Sequence, residues 1–193
     1  MNAVVGILAL QGAFRAHELA VQQCGVSTLQ VRTPEELDHV DALVMPGGES
    51  TTMSHLLTTS ELFDPIAKRL SDDMPIFGTC AGMILLAQKV YDARPDQRSF
   101  AALDIDVRRN AYGRQVDSFE CDLSVVGLPE DFHAVFIRAP RVERVGEGVE
   151  VLAQHEGVPV LVRQGRMMAA SFHPELTPDV RIHERFLSMV TEV

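Results

Sequence analysis

The chain has 193 residues, 46% of them hydrophobic, which suits one compact domain spanning residues 1–193 around a continuous core. Its 27 acidic against 17 basic residues give a formal net charge of -10 with no Lys/Arg block to track phosphates, which excludes nucleic acid as an expected partner and reads as a solvated surface. Three irregularly spaced cysteines, Cys24, Cys80 and Cys121, argue against a disulfide framework or a zinc site and for a reducing, cytoplasmic setting, and no apolar run reaches bilayer-spanning length.

In chain order, Ala3 to Leu10 is apolar with no basic lead-in and reads as a first buried strand rather than a leader. Phe14 to Cys24 is a helix stopped by Gly25, and Thr28 to Arg32 a second strand. Thr33-Pro34-Glu35-Glu36 opens a short helix, with Thr33 as N-cap, Pro34 at the first position and Glu36 placed to complete a capping box. Ala42 to Met45 is a third strand, broken by Pro46-Gly47-Gly48; helices follow from Ser50 and over Glu61 to Leu70. Pro75 to Gly78 is a fourth strand leading into Thr79-Cys80-Ala81-Gly82, then a buried helix over Met83 to Lys89.

Tyr91 to Ser99, charged and containing Pro95, reads as a flexible loop. Strands are expected beyond it at Leu103 to Val107, Ser118 to Val125, Ala134 to Ile137, Val149 to His155, Val158 to Arg163 and Met168 to Phe172, extending or flanking the sheet. A last helix starts at Thr177-Pro178 and carries Ile182, Phe186 and Val190 at helical spacing. Strands alternating with helices through the first half predict an α/β fold of three layers, a doubly wound and mostly parallel sheet with flanking helices and added β-strands.

Gly78-Thr79-Cys80-Ala81-Gly82 has the form G-x-C-x-G between a strand and a helix, the thiol counterpart of a nucleophile elbow. The turn pushes the Cys80 side chain out at the carboxyl end of the sheet and sets it at a helix N-terminus, where thiolate is favoured over thiol. Free cysteines are more often small buried hydrophobes, the reading we keep for Cys24 and Cys121. A thiolate needs a base and a group to orient that base, and Ser171-Phe172-His173-Pro174-Glu175 supplies His173 and Glu175 beyond an apolar strand. His17, His39, His55, His133, His155 and His183 lack such a setting and are read as structural. Pro46-Gly47-Gly48-Glu49-Ser50 offers amide N–H groups after a strand, able to hold an oxyanion, and no phosphate-loop or dinucleotide glycine motif is present.

In order and spacing, Pro46-Gly47-Gly48, the Gly78 to Gly82 elbow and His173-Pro174-Glu175 resemble the class I glutamine amidotransferases. Further segments resemble the glutaminase subunits of pyridoxal 5'-phosphate synthases: Leu10-Gln11-Gly12-Ala13, Gly47 to Met53, Phe77 to Gly82, Arg109-Asn110, Gly113 to Phe119, Phe136 to Pro140 and Ser171 to Glu175. The resemblance covers nearly the whole chain. It implies Cys80 as nucleophile, His173 as base and acid and Glu175 as orienter; Ala81, Gly47 and Gly48 as an oxyanion hole; and Gly48, Glu49, Ser50, Arg109, Ile137 and Arg138 as the groups that hold L-glutamine.

A guanidinium or backbone amides suit the α-carboxylate of that amino acid, and a carboxylate or carbonyls its α-ammonium. The resemblance also implies hydrolysis of glutamine to glutamate and ammonia with no metal or organic cofactor. The ammonia would pass to a barrel-fold synthase subunit in a large hetero-oligomer that makes pyridoxal 5'-phosphate. Rivals are a glutaminase for another synthase, such as that of the imidazole glycerol phosphate pathway, a stress-type cysteine protein on a related fold, and a non-catalytic regulatory module.

Overall fold

The computed structural model describes residues 3–109 and 118–191. Its backbone is a seven-stranded sheet built on β1 (Val4–Leu8), β2 (Ser27–Val31), β3 (Ala42–Met45), β4 (Ile76–Thr79), β10 (Glu150–His155), β11 (Val158–Gln164) and β12 (Met167–Ala170). The order is β10-β11-β12-β4-β3-β1-β2, in which β12, β4, β3, β1 and β2 are mutually parallel and β11 and β10 complete an antiparallel edge.

Side chains alternate across this sheet, so each parallel strand feeds two cores. Val5, Ile7, Ala42, Val44, Phe77, Met168 and Ala170 face one layer, which holds Val21 of α1 (Phe14–Gln23) and Ile182 and Phe186 of α6 (Arg181–Thr191). The antiparallel pair β7 (Ser118–Leu123) and β8 (Phe132–Ile137) closes that side through Leu123, Phe132 and Phe136.

Leu8, Leu43, Met45, Ile76 and Ala169 face the other layer. It contains α2 (Pro34–Leu37), α3 (Ser50–Thr59), α4 (Phe63–Ser71) and α5 (Ala81–Leu86), and a small sheet of β5 (Ala87–Tyr91), β6 (Leu103–Arg108) and β9 (Arg141–Val145). These are the three layers of a doubly wound α/β fold.

Local chemistry sets several boundaries as expected. Thr33 and Glu36 close the reciprocal capping box of α2, and α1 is followed by Gly25 at φ 78°. Elsewhere tertiary pairing overrides the pattern. The helix expected over Met83 to Lys89 stops at Leu86, because Ala87 turns to extended backbone and Gln88 to Tyr91 run on as β5, parallel to β6.

The strand Arg141–Val145 was not expected, since its Arg and Glu side chains hide an alternation in which only Val142 is buried. The helix expected from Glu61 begins at Phe63, Glu61 itself standing at φ 58°. The last helix begins at Arg181, and Pro174–Leu176 form a single 3-10 turn before it. Of the added strands, β10, β11 and β12 join the main sheet, whereas β6, β7 and β8 belong to the two separate sheets.

The loop after Tyr91 is fastened to its surroundings. The Arg98 backbone N–H donates to Ser54 Oγ at 2.8 Å, its guanidinium pairs with Asp64 at 2.9 Å and lies 3.6 Å over the Phe63 ring, and Gln97 accepts from Thr51 and Arg109. Among the described residues, no helix is long and apolar enough to cross a membrane.

Candidate active site

Because β1, β3, β4 and β12 are adjacent and parallel, the segments that follow them leave the sheet at one end, where open α/β sheets place their sites. The elbow follows β4, Pro46-Gly47-Gly48 follows β3, Leu10 to Gly12 follow β1, and Ser171 to Glu175 follow β12. Sequence-distant motifs are thereby brought into contact.

Cys80 joins β4 to α5 with φ 48° and ψ -101°, a left-handed conformation that costs about 1–3 kcal/mol in a residue with a side chain. Its backbone is held on both sides: the N–H donates to Ala170 at 2.8 Å, and the carbonyl accepts from Ile84 at 3.2 Å. The flanking glycines permit close packing more than they clear space beside the thiol. A Cβ on Gly82 would stand 2.3 Å from the Met45 carbonyl oxygen, and one on Gly78 would stand 2.7 Å from the Gly82 backbone. Cys80 is 6% exposed, with Sγ 3.9 Å from the Ile137 carbonyl oxygen.

His173 lies against this thiol, its backbone N–H anchored to the Val135 carbonyl at 2.8 Å. Its Nδ1 is 2.8 Å from Glu175 Oε1, which leaves the other ring nitrogen for the side-chain hydrogen bond to Cys80. Burial alone would lower the His173 pKa, but the hydrogen bonds to Cys80 and Glu175 outweigh it and push it up to about 10. Burial would raise Glu175, whose carboxylate is fully enclosed; His17 on one side and His173 on the other instead hold it below the usual range. Gly47 makes this closeness possible: a Cβ there would stand 2.5 Å from His173 Cε1 and 3.3 Å from Cys80 Cβ. Gly12 in turn abuts the Gly47 carbonyl oxygen, where its own Cβ would come to 1.8 Å.

Cys80 and His173 border a cavity of about 190 Å³. Gly48, Glu49, Ser50, Arg109, Ile137 and Arg138, all expected at the substrate, line it. Ile84 lines it too; sequence reasoning missed this residue, which only the curl of α5 brings to the wall. Gly47 and Ala81 border Cys80, Ala81 as the first residue of α5. Arg138 stands just past β8 at φ 43°.

Glu49 caps α3, its carboxylate accepting from the Thr51 and Thr52 N–H groups at 3.0 and 2.7 Å and from Arg109 at 2.9 Å. Against a partial burial that opposes ionisation, the threonine hydrogen bonds take its pKa down to about 2. Ser50 is buried at the cavity wall, and among the described residues its Oγ has no hydrogen-bond partner, a polar atom that a bound polar ligand would satisfy. Asn110 and Gly113 to Asp117, which carried part of the resemblance, lie outside the described residues.

Two histidines read as structural stand behind Glu175. His17 of α1 places Nε2 3.2 Å from Glu175 Oε2 and Nδ1 3.0 Å from His183 Nε2 of α6. No local signal in the sequence marks either one. Cys24 and Cys121, half-buried, have thiols raised by burial and lie apart from the site. Among the described residues no cluster of His, Cys, Asp and Glu is arranged to hold a metal ion.

Residues 7–192 match the SNO glutamine amidotransferase family. The chain is 57% identical to the pyridoxal 5'-phosphate synthase subunit PdxT of Mycobacteroides abscessus, over 98% of each chain. It is 55% identical to the subunit of that name from Salinispora arenicola, over 97% of this chain and 96% of the relative. A crystal structure of a glutamine amidotransferase superposes with a TM-score of 0.92 at 50% identity, covering 97% of this chain and 99% of that one.

Proposed function

The chain belongs to the SNO glutamine amidotransferase family, and we propose that it is the glutaminase subunit of a pyridoxal 5'-phosphate synthase, hydrolysing L-glutamine to glutamate and ammonia at Cys80. One observation carries the reaction: Cys80, His173 and Glu175 are hydrogen-bonded in series beside a cavity lined by the six residues suited to an amino acid.

The Cys80 thiolate attacks the side-chain amide carbon of glutamine, forming the C–S bond and moving the carbonyl π pair onto oxygen. The backbone N–H groups of Ala81 and of the Gly47-Gly48 turn receive that oxyanion. His173, already protonated at neutral pH by virtue of its raised pKa, gives its proton to the amide nitrogen; the C–N bond breaks, ammonia leaves and a γ-glutamyl thioester remains. Neutral His173 then takes a proton from water, which attacks the thioester and returns the sulfur as thiolate beside imidazolium. Glu175, bonded to Nδ1, keeps the ring in one orientation through both half-reactions.

Arg138 and Arg109 supply guanidinium groups for the α-carboxylate, Glu49 and the Ile137 carbonyl accept from the α-ammonium, and Ser50 Oγ and Gly48 complete the wall. Glu49 and Arg109 pair with each other across the cavity edge, so glutamine enters between two charges already in position. No step needs a metal or an organic cofactor.

The ammonia goes to a synthase partner. We place that partner as a barrel-fold subunit in a large hetero-oligomer, this chain as one domain over 1–193, and the complex in the cytoplasm. The experiment is glutamate release from L-glutamine with and without the cognate synthase subunit, with Cys80→Ala as blank. Turnover that needs Cys80 and rises with that subunit supports reaction and partner together. Turnover surviving in the blank would remove the assignment, and activity indifferent to the subunit would redirect the ammonia to another pathway.

A further inference from the structure

Glu175 needs more than His173 to hold it. Its side chain is completely buried, and a buried carboxylate with an unsupported oxygen either takes up a proton or turns away from its partner. Oε1 is taken by His173; among the described residues no hydrogen bond of good geometry reaches Oε2. What faces it is His17 Nε2 at 3.2 Å, which also stands 3.1 Å from Thr79 Oγ1, one residue before the nucleophile.

The protonation pattern follows from these contacts. A lone pair on His17 Nε2 would confront a carboxylate oxygen, so the proton sits on Nε2, aimed at Thr79 and passing its positive end across Oε2. Nδ1 is then an acceptor and takes the Nε2–H of His183 at 3.0 Å. Burial lowers both imidazole pKa values, with the Glu175 charge opposing the effect, and His183 is taken down to about 3; the relay is neutral. Phe77 presents its ring to both histidines, near-perpendicular at 6.3 and 6.0 Å between centroids, and walls the relay with apolar surface. The titratable groups facing His17 are thus Glu175, His173 and His183, and those facing His183 are His17 and Glu175.

We propose that His17, oriented by His183 and Thr79, is a positioning residue for glutamine hydrolysis, its Nε2–H dipole fixing the Glu175 carboxylate so that His173 keeps one orientation while it gives and takes its proton. This rests on the glutaminase reading, and it extends the series Cys80-His173-Glu175 inward by two buried imidazoles.

The test uses the full chain with its synthase partner and compares His17→Leu, which removes the donor, with His17→Gln, whose amide nitrogen reaches the depth of Nε2. We expect His17→Leu to lower kcat by about tenfold or more, by analogy with the outer hydrogen-bond partners that orient metal-bound histidines, with KM changed less than about twofold. The His173 ring in the isolated chain, followed by NMR, should titrate at lower pH than in the unmodified protein. His17→Gln should restore most of both. Should His17→Leu not fold, His17→Asn takes its place, because its amide ends too short to reach Oε2.

A folded His17→Leu with unchanged kcat and unchanged His173 titration would overturn the proposal. So would a glutamine variant as impaired as the leucine one, which would mean that the ring only fills space. The NMR titration separates this from the assignment of function: if the unmodified chain had no Cys80-dependent glutaminase activity, the reaction would fall while the effect of His17 on His173 could still be read.

Discussion

His183 offers the sharpest test of the buried relay through stability. It is neutral in the folded chain, with a pKa of about 3, and ordinary, 6.5, once unfolded. The folded pKa is the lower one, so below the unfolded value the unfolded chain binds a proton that the folded chain refuses, and stability falls as pH falls from about 6.5 toward 3. At pH 5 this difference is worth about 2 kcal/mol, a figure that requires only a folded pKa well below 5.

Whole-protein pH curves mix this with other groups. His173, raised to about 10, contributes stability that is fully present below about 6.5 and lost as pH rises through 10, and His133 has the same sign through Asp122 and Glu120. A substitution isolates the effect. His183→Gln keeps an N–H donor for His17 Nδ1 but cannot titrate. Urea unfolding of both proteins from about pH 7.5 to about pH 5 should show the deficit of the variant shrinking by about 2 kcal/mol, near 1 M in relative midpoint for a slope of about 2 kcal/mol/M. A deficit that stays constant across that range would mean that His183 takes up its proton as readily in the fold as in the unfolded chain, and one that grows as pH falls that the fold favours the protonated ring; either would break the neutral relay toward Glu175.

Replacing Cys80 by Ala removes one of the hydrogen bonds that raise His173, so beyond abolishing turnover it should draw the His173 pKa down from about 10, measurable by NMR titration of the ring. Gly82→Ala would set a Cβ 2.3 Å from the Met45 carbonyl oxygen; overpacking of about 1–3 kcal/mol should exceed the helix gain of up to about 1 kcal/mol, giving net loss in urea unfolding together with lower kcat. Gly47→Ala would set a Cβ 2.5 Å from His173 Cε1 and 3.3 Å from Cys80 Cβ; the ring, as the end of a side chain, can yield, so stability should stay within about 1 kcal/mol while the His173 ring is displaced and kcat falls, checked by unfolding and steady-state assays side by side.

Much of the site is legible in sequence because its pieces are local. The G-x-C-x-G turn, the Gly-Gly break after Met45 and His173-Pro174-Glu175 each follow a strand, and parallel strands necessarily deliver such turns to one sheet end. The unbroken apolar run Ala42–Met45 is likewise a strand, as expected, and its residues are buried on both faces.

Other features depend on neighbours that no local pattern names. Ala87 to Tyr91 leave the helical pattern because β6 offers a parallel partner, and Glu49 becomes a helix cap paired with Arg109, sixty positions away. His17 and His183, 166 positions apart, resemble any amphipathic-helix histidine until α1 and α6 pack on one face of the sheet. Short-range chemistry writes the turns and the Cys80 elbow into the sequence; which buried polar groups meet is decided only when long-range packing removes water and leaves them each other as partners.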